Sequence, residues 1–174
     1  MGSDSLYRKL LGSEFDLLPE ILQSFHSRDG RAEGTFEFMR SPGIPRHILA
    51  SCIGLPYSRH KQKGRLSVTT ENEAEVWDRQ IGEWRFRTRQ TLADGLLVEE
   101  YGPLKLFFLV RAAPDRMVFE QIGCKVCGLR IPKYFWITVD ATVVADLGHW
   151  HIDVRLGAPV VGELCRYNGR LKPV

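Results

Sequence analysis

The sequence predicts an α+β domain that is mainly β: a curved or closed antiparallel β-barrel of roughly nine or ten short strands behind N-terminal helices. Three observations carry that expectation. From Gly64 onward, apolar and polar residues alternate with the period of two that strands require. Short Gly-, Pro- and Asp-containing turns join these segments, and short connections imply antiparallel neighbours, because parallel pairs need long crossovers. Helical periodicity is confined to residues 4–26 and 45–53. A twisted sheet of that many strands curls or closes on itself, leaving a packed interior or one small-ligand cavity.

In chain order, Leu6, Leu10 and Leu11 form an apolar stripe behind Asp4, a suitable N-cap, and Gly12 ends that helix. Pro19 sits in the first turn of a second helix, where its missing N–H does no harm. Leu18, Ile21, Leu22 and Phe25 form that helix's buried stripe, and His26 closes it. Residues 31–40 alternate as a strand, with Ala32, Gly34, Phe36 and Phe38 opposite a charged face that meets water. Ser41-Pro42-Gly43 breaks the strand before the short helix at 45–53, which Gly54 ends. Residues 55–63 read as a basic loop, a candidate cover for a cavity mouth, and 65–70 as a strand.

The central stretch is Ala74 to Pro103, three strands joined by two tight turns at Gly82 and Asp94-Gly95. Its inward faces read Trp77, Arg79, Ile81; then Trp84, Phe86, Thr88; then Leu97, Glu99, Tyr101. Arg79 and Glu99 thus fall on apolar faces. A buried charge is costly unless paired, so the two are expected to be partners or to line a wet cavity. Residues 104–112 form a strongly apolar strand and 117–122 another. Residues 123–133 read as irregular, 135–146 as a long β-branched strand and 149–156 as a strand, before a last segment interrupted by Pro159, Gly162 and Gly169.

The length of 174 residues suggests a single domain spanning 1–174, large enough for its own core. A net charge of +3 is too small for a nucleic-acid partner, which calls for a strongly basic face. The first dozen residues lack a secretory apolar run, and no run of membrane-spanning length occurs, so a cytoplasmic protein with four reduced cysteines is expected.

Several patterns suggest chemistry and fall to simpler readings. His149-x-His151-x-Asp153 has strand spacing for a metal, but Trp150, Ile152 and Val154 hold the opposite, buried face, which sends both histidines to solvent. Cys124-x-x-Cys127 lacks a second ligand pair for zinc and a helix N-terminus for redox work. Arg85, Arg87 and Arg89 form an outward, solvated stripe. No nucleophile elbow, phosphate-binding loop or dinucleotide fingerprint is present. Neither a metal nor a cofactor is expected. The inward or rim polar groups that remain are His26, Arg79, Glu99, Tyr101, Tyr134 and Tyr167.

A string of landmarks runs along the chain: Leu6-Tyr7, Leu10-Leu11-Gly12, Phe15, Leu18-Pro19, His26, Gly54-Leu55-Pro56, Trp77-x-Arg79, Phe86, Glu99-x-x-Gly102-Pro103, Pro159-x-x-Gly162 and Tyr167-x-Gly169-x-Leu171. Their order and spacing resemble a bacterial family known as a domain of unknown function, found alone or fused C-terminal to saccharopine-dehydrogenase-like oxidoreductases. The resemblance implies a role in small-molecule metabolism, with an oxidoreductase as a possible partner in trans, and transfers no catalytic residue. It draws attention to His26, Trp77, Arg79, Glu99, Gly102, Pro103 and Tyr167.

The expected architecture is therefore lipocalin-like or calycin-like, with a START-like half-barrel as the alternative. The expected function is binding of an apolar or amphipathic small molecule in an internal cavity lined by Trp77, Arg79, Trp84, Phe86, Tyr101, Phe108, Tyr134 and Tyr167. One alternative is a cofactor-independent cyclase or isomerase in which Glu99 or His26 moves a proton. Another is a protein-interaction module with a filled core.

Overall fold

The computed structural model describes residues 5–27, 29–57 and 59–174. The chain opens with α1 (Leu6–Leu11), a 3-10 turn (Gly12–Leu17) and α2 (Glu20–His26). Next come β1 (Arg31–Arg40), α3 (Ile44–Cys52), β2 (Arg59–Glu71), β3 (Ala74–Ile81), β4 (Trp84–Ala93), β5 (Leu96–Tyr101) and β6 (Leu104–Ala113). The chain ends with β7 (Arg116–Val126), β8 (Leu129–Arg130), β9 (Thr138–Asp146), β10 (His149–Ala158) and β11 (Gly162–Pro173).

Ten of the eleven strands close into a ring in which sequence neighbours pair, β7 meets β9, and β11 returns to β1. An even number of strands lets an all-antiparallel ring close, and closure removes the open edges on which other chains could add. The two-residue β8 folds back on β7 outside the ring. The closed, calycin-like barrel is as expected, and the half-barrel alternative does not apply.

The barrel has two unlike ends. At one end the turns at 72–73, 94–95, 114–115 and 147–148 surround α1 and α2, which lay Leu6, Tyr7, Leu11, Leu22, Phe25 and His26 into the opening. Ser5 caps α1, its hydroxyl accepting from the Arg8 N–H at 3.3 Å. At the other end lie α3, the Gly82 and Gly102 turns and the segment between β8 and β9. Arg40 pins the chain after α3 across this end: its guanidinium donates to the carbonyls of Pro56 (2.7 Å) and Leu55.

Three segments differ from the sequence expectation. Residues 59–63 are not a loop but the start of β2, paired with β1 as far as Phe38↔Arg59. Lys61, Lys63 and Arg65 are simply its outward-facing positions. Residues 123–126 continue β7, and the turn is confined to Cys127 and Gly128, both at positive φ. Gly169 does not interrupt the last segment. It lies inside β11 opposite Phe36, whose ring lies flat against the wall there. A Cβ at Gly169 would stand 2.5 Å from the Phe36 ring, and one at Gly64 would stand 2.3 Å from it. The two glycines are the trough that seats a buried phenylalanine. Gly169→Ala is expected to lower stability by about 1–3 kcal/mol through overpacking, read as a lower urea midpoint at unchanged slope.

Candidate functional site

Alternation along each strand sends every second side chain inward. The inward set surrounds a cavity of about 690 Å³. At the plugged end its lining is the buried Tyr7, Phe25, His26 and Trp150; at the other end its exposed members are Cys52, Gly54, Tyr101, Gly102 and Pro103. The cavity therefore opens beside α3. Trp84 frames this mouth, donating from Nε1 to the Gly54 carbonyl at 3.1 Å and stacking on Phe86 with ring centroids 4.3 Å apart.

The walls are apolar, with one polar cluster partway up. The register sets Arg79 opposite Phe86, Trp77 opposite Thr88 and Glu99 opposite Gln90, so β3, β4 and β5 each deliver one member. Arg79 donates to Glu99 Oε1 at 3.1 Å and to Thr88 Oγ1 at 2.7 Å, and the Thr88 hydroxyl donates to the same Glu99 oxygen at 2.6 Å. The guanidinium also lies 5.0 Å from the Trp77 ring centroid and 4.9 Å from that of Phe86, a cation held between aromatic faces. The sequence expectation of an Arg79–Glu99 partnership is met by this ion pair.

At the floor, the Tyr7 hydroxyl donates to Gln90 Oε1 at 3.0 Å, and the Tyr7 ring packs 4.0 Å from the His26 ring. Burial pushes the His26 imidazole down from 6.5 to about 3, so it is neutral at pH 7. Its Nδ1 is sealed from solvent and has no hydrogen-bond partner among the described residues. Glu75, beside this floor, accepts from Trp77 Nε1 at 3.1 Å, and burial raises its carboxyl to about 7. Burial likewise raises the phenols of Tyr7 and Tyr167, which remain protonated donors.

Of the residues singled out from sequence, His26, Trp77, Arg79, Trp84, Phe86, Glu99, Tyr101, Phe108 and Tyr167 all line this cavity. Tyr134 does not. It sits in the 3-10 turn Lys133–Phe135 that precedes β9, 76% exposed, because Pro132 carries the chain outside the barrel before the strand begins. Tyr7, Thr88, Gln90 and Trp150 belong to the lining but were not among the expected site residues. Thr88 and Gln90 follow directly from extending the Trp84–Phe86 alternation along β4. Tyr7 shares a helix face with Leu11, which sequence shows, but the distant Gln90 that it meets is a tertiary fact.

The His149–Asp153 and Arg85–Arg89 patterns lie on the outer face as expected: His151 is exposed, Asp153 pairs with Arg166, and Arg85 and Arg87 pair with Asp78 and Glu71. Cys124 is buried and Cys127 exposed, and they are unbridged. Among the described residues, no cluster of three or more His, Cys, Asp or Glu could hold a metal ion, and no helix is long and apolar enough to cross a membrane.

No curated protein matches the chain. Among solved structures it is similar to a protein of unknown function from the DUF3598 family of Nostoc punctiforme, with a TM-score of 0.55 at 7% identity. The match covers 83% of this chain and 47% of that one, so this chain spans less than half the length of that protein, and the likeness speaks for the fold alone. The family described as Domain of unknown function (DUF4166) matches residues 18–171. With most of its length covered by that match, the chain belongs to the DUF4166 family.

Proposed function

We propose that this barrel binds an apolar or amphipathic small molecule, with the Arg79–Thr88–Glu99 cluster meeting the ligand's polar part. The observation that carries the reading is the cavity itself: about 690 Å³, aromatic and aliphatic walls, a convergent polar cluster and a mouth beside α3. Small-molecule sites are commonly of this size and this mix of apolar wall and few polar anchors.

The cyclase or isomerase reading receives less support. A proton carrier near neutral pH needs a matched pKa and an accessible atom. His26, with a pKa of about 3 and a sealed Nδ1, offers neither. The Glu99 oxygen facing Arg79 is already engaged by two donors. A filled core sits poorly with the cavity volume. An oxidoreductase acting in trans rests on the family resemblance alone.

The test is native mass spectrometry of gently purified protein, followed by denaturing extraction. The expected result is a bound molecule of lipid-like mass. Protein stripped of it should regain several degrees of melting temperature on reloading, since ligand at about 100 times its Kd adds about 2.7 kcal/mol. Empty protein with no thermal shift across a panel of apolar ligands would overturn the reading.

A further inference from the structure

We infer that the cavity selects neutral amphiphiles, such as long-chain alcohols, ketones or esters, and rejects the corresponding carboxylates. This deepens the small-molecule reading and rests on it.

The argument is one of charge balance. Among the described residues, the acidic and basic side chains lining the cavity are Arg79 and Glu99, paired with each other, and His26. His26, the remaining lining group that could carry a positive charge, is neutral at pH 7 because burial suppresses its protonation. The tyrosines that line the cavity floor and wall, Tyr7 and Tyr167, are protonated. The described lining therefore carries no net charge.

A ligand carboxylate entering this site would leave water for a wall whose described cation, Arg79, is already paired. Arg79 could serve it only by releasing Glu99, and Glu99 would then stand buried beside a second negative charge. Desolvating an anion without a counter-charge is the costliest event such a site can host. A hydroxyl or carbonyl asks for much less. The Arg79 guanidinium has five N–H donors, and its contacts with Thr88 and Glu99 are made through two of its nitrogens. A neutral acceptor can therefore share the guanidinium without displacing the ion pair. The two aromatic faces against Arg79, Trp77 and Phe86, stabilise the cation further and hold it where it is.

The pairing also implies a switch. Glu99→Gln removes the internal counter-charge and leaves Arg79 as an unmatched buried cation facing the cavity. The variant lining then carries one positive charge and becomes a carboxylate receptor.

The experiment is titration of delipidated protein with tetradecan-1-ol and with tetradecanoate at pH 7.5, read by intrinsic fluorescence of the lining tryptophans and by melting temperature. Wild type is expected to bind the alcohol at least tenfold more tightly than the carboxylate. Glu99→Gln is expected to reverse that order, with at least a tenfold gain for tetradecanoate. The double variant Arg79→Leu/Glu99→Leu, whose lining is again uncharged, should keep the alcohol preference, which guards against a single variant that fails to fold. Wild type that binds tetradecanoate as tightly as the alcohol overturns this inference and leaves ligand binding intact. Wild type and variants that all bind neither probe overturn both.

Discussion

Arg79→Met is expected to lower stability by about 3 kcal/mol, while the double variant Arg79→Met/Glu99→Gln should recover a large part of that loss. The single change strands the Glu99 carboxylate in an apolar wall, with the Thr88 hydroxyl as its one remaining donor in the cluster. Both side chains are largely buried, 16% and 20% exposed, which places the pair well beyond the near-zero value of surface salt bridges. Removing both charges removes the stranded one, and an uncharged pair in a barrel wall is tolerated much better than half of an ionic one. Glu99→Gln alone should cost less than Arg79→Met, because the amide oxygen still accepts from Thr88 and the aromatic faces still hold the guanidinium. Urea unfolding of the four proteins closes the cycle. Additive single effects would mean that the two side chains do not interact, and both the proposed anchor and the charge-balance argument would lose their basis.

Histidine and glutamate at the plugged end are expected to give opposite and mutually concealing pH dependences. His26 is held near 3 against 6.5, so the unfolded chain takes up its proton first as pH falls. Its contribution is present above pH 6.5 and is lost between 6.5 and 3. Glu75 is raised from 4.5 to about 7, so the unfolded chain releases its proton first as pH rises. Its protonated form suits the fold, and stability is lost between pH 4.5 and 7. Between pH 4.5 and 6.5 the slopes cancel, and wild-type stability changes little on their account. Single variants separate them. His26→Phe should become less stable as pH rises from 4.5 to 7, by about 3 kcal/mol. Glu75→Gln should become less stable as pH falls from 6.5 to 4, by a similar amount. Urea midpoints across this range measure both. Variants whose profiles parallel that of wild type would show that neither group is buried in the form described, and that α1 and α2 do not seal this end of the barrel.

Among the described residues, that seal closes one end of the barrel. Tyr7 and Phe25 fill the floor from the helices, and Trp77 and Trp150 meet them from the wall, with Phe25 and Trp150 rings 4.8 Å apart. The opposite end carries α3 and the chain that Arg40 and Trp84 tie to the rim. From that end the cavity lining runs from Gly54 and Tyr101 past Trp84 and Phe86 to Arg79 and Glu99, and then to the floor.

The fold and most of the lining were legible because both depend on local periodicity. Alternation in β3, β4 and β5 is enough to say that Trp77, Arg79, Phe86, Thr88, Glu99 and Leu97 share an interior, and the cost of burying charge is enough to say that Arg79 and Glu99 are partners or line a wet cavity. The same logic correctly sent His149, His151 and the Arg85–Arg89 stripe outward. Tyr134 escaped it because aromatic character says nothing about side once the chain leaves a strand. Residues 59–63 escaped it because a basic run without apolar alternation reads as a loop until β1 is seen to pair with it. Gly169 looked like a breaker, and is instead the space in which Phe36 lies.

By itself, then, the sequence determined the class of fold, the inward face of each central strand and the need of Arg79 and Glu99 for a partner or for water, since these follow from side-chain period and desolvation. Only the tertiary structure decided that the ring closes through β11 and β1, that the helices plug one end and leave the other open, and that Tyr7 reaches Gln90 across 83 positions of sequence. Those depend on contacts between residues far apart in the chain, and no local pattern encodes which distant partner fills a given space.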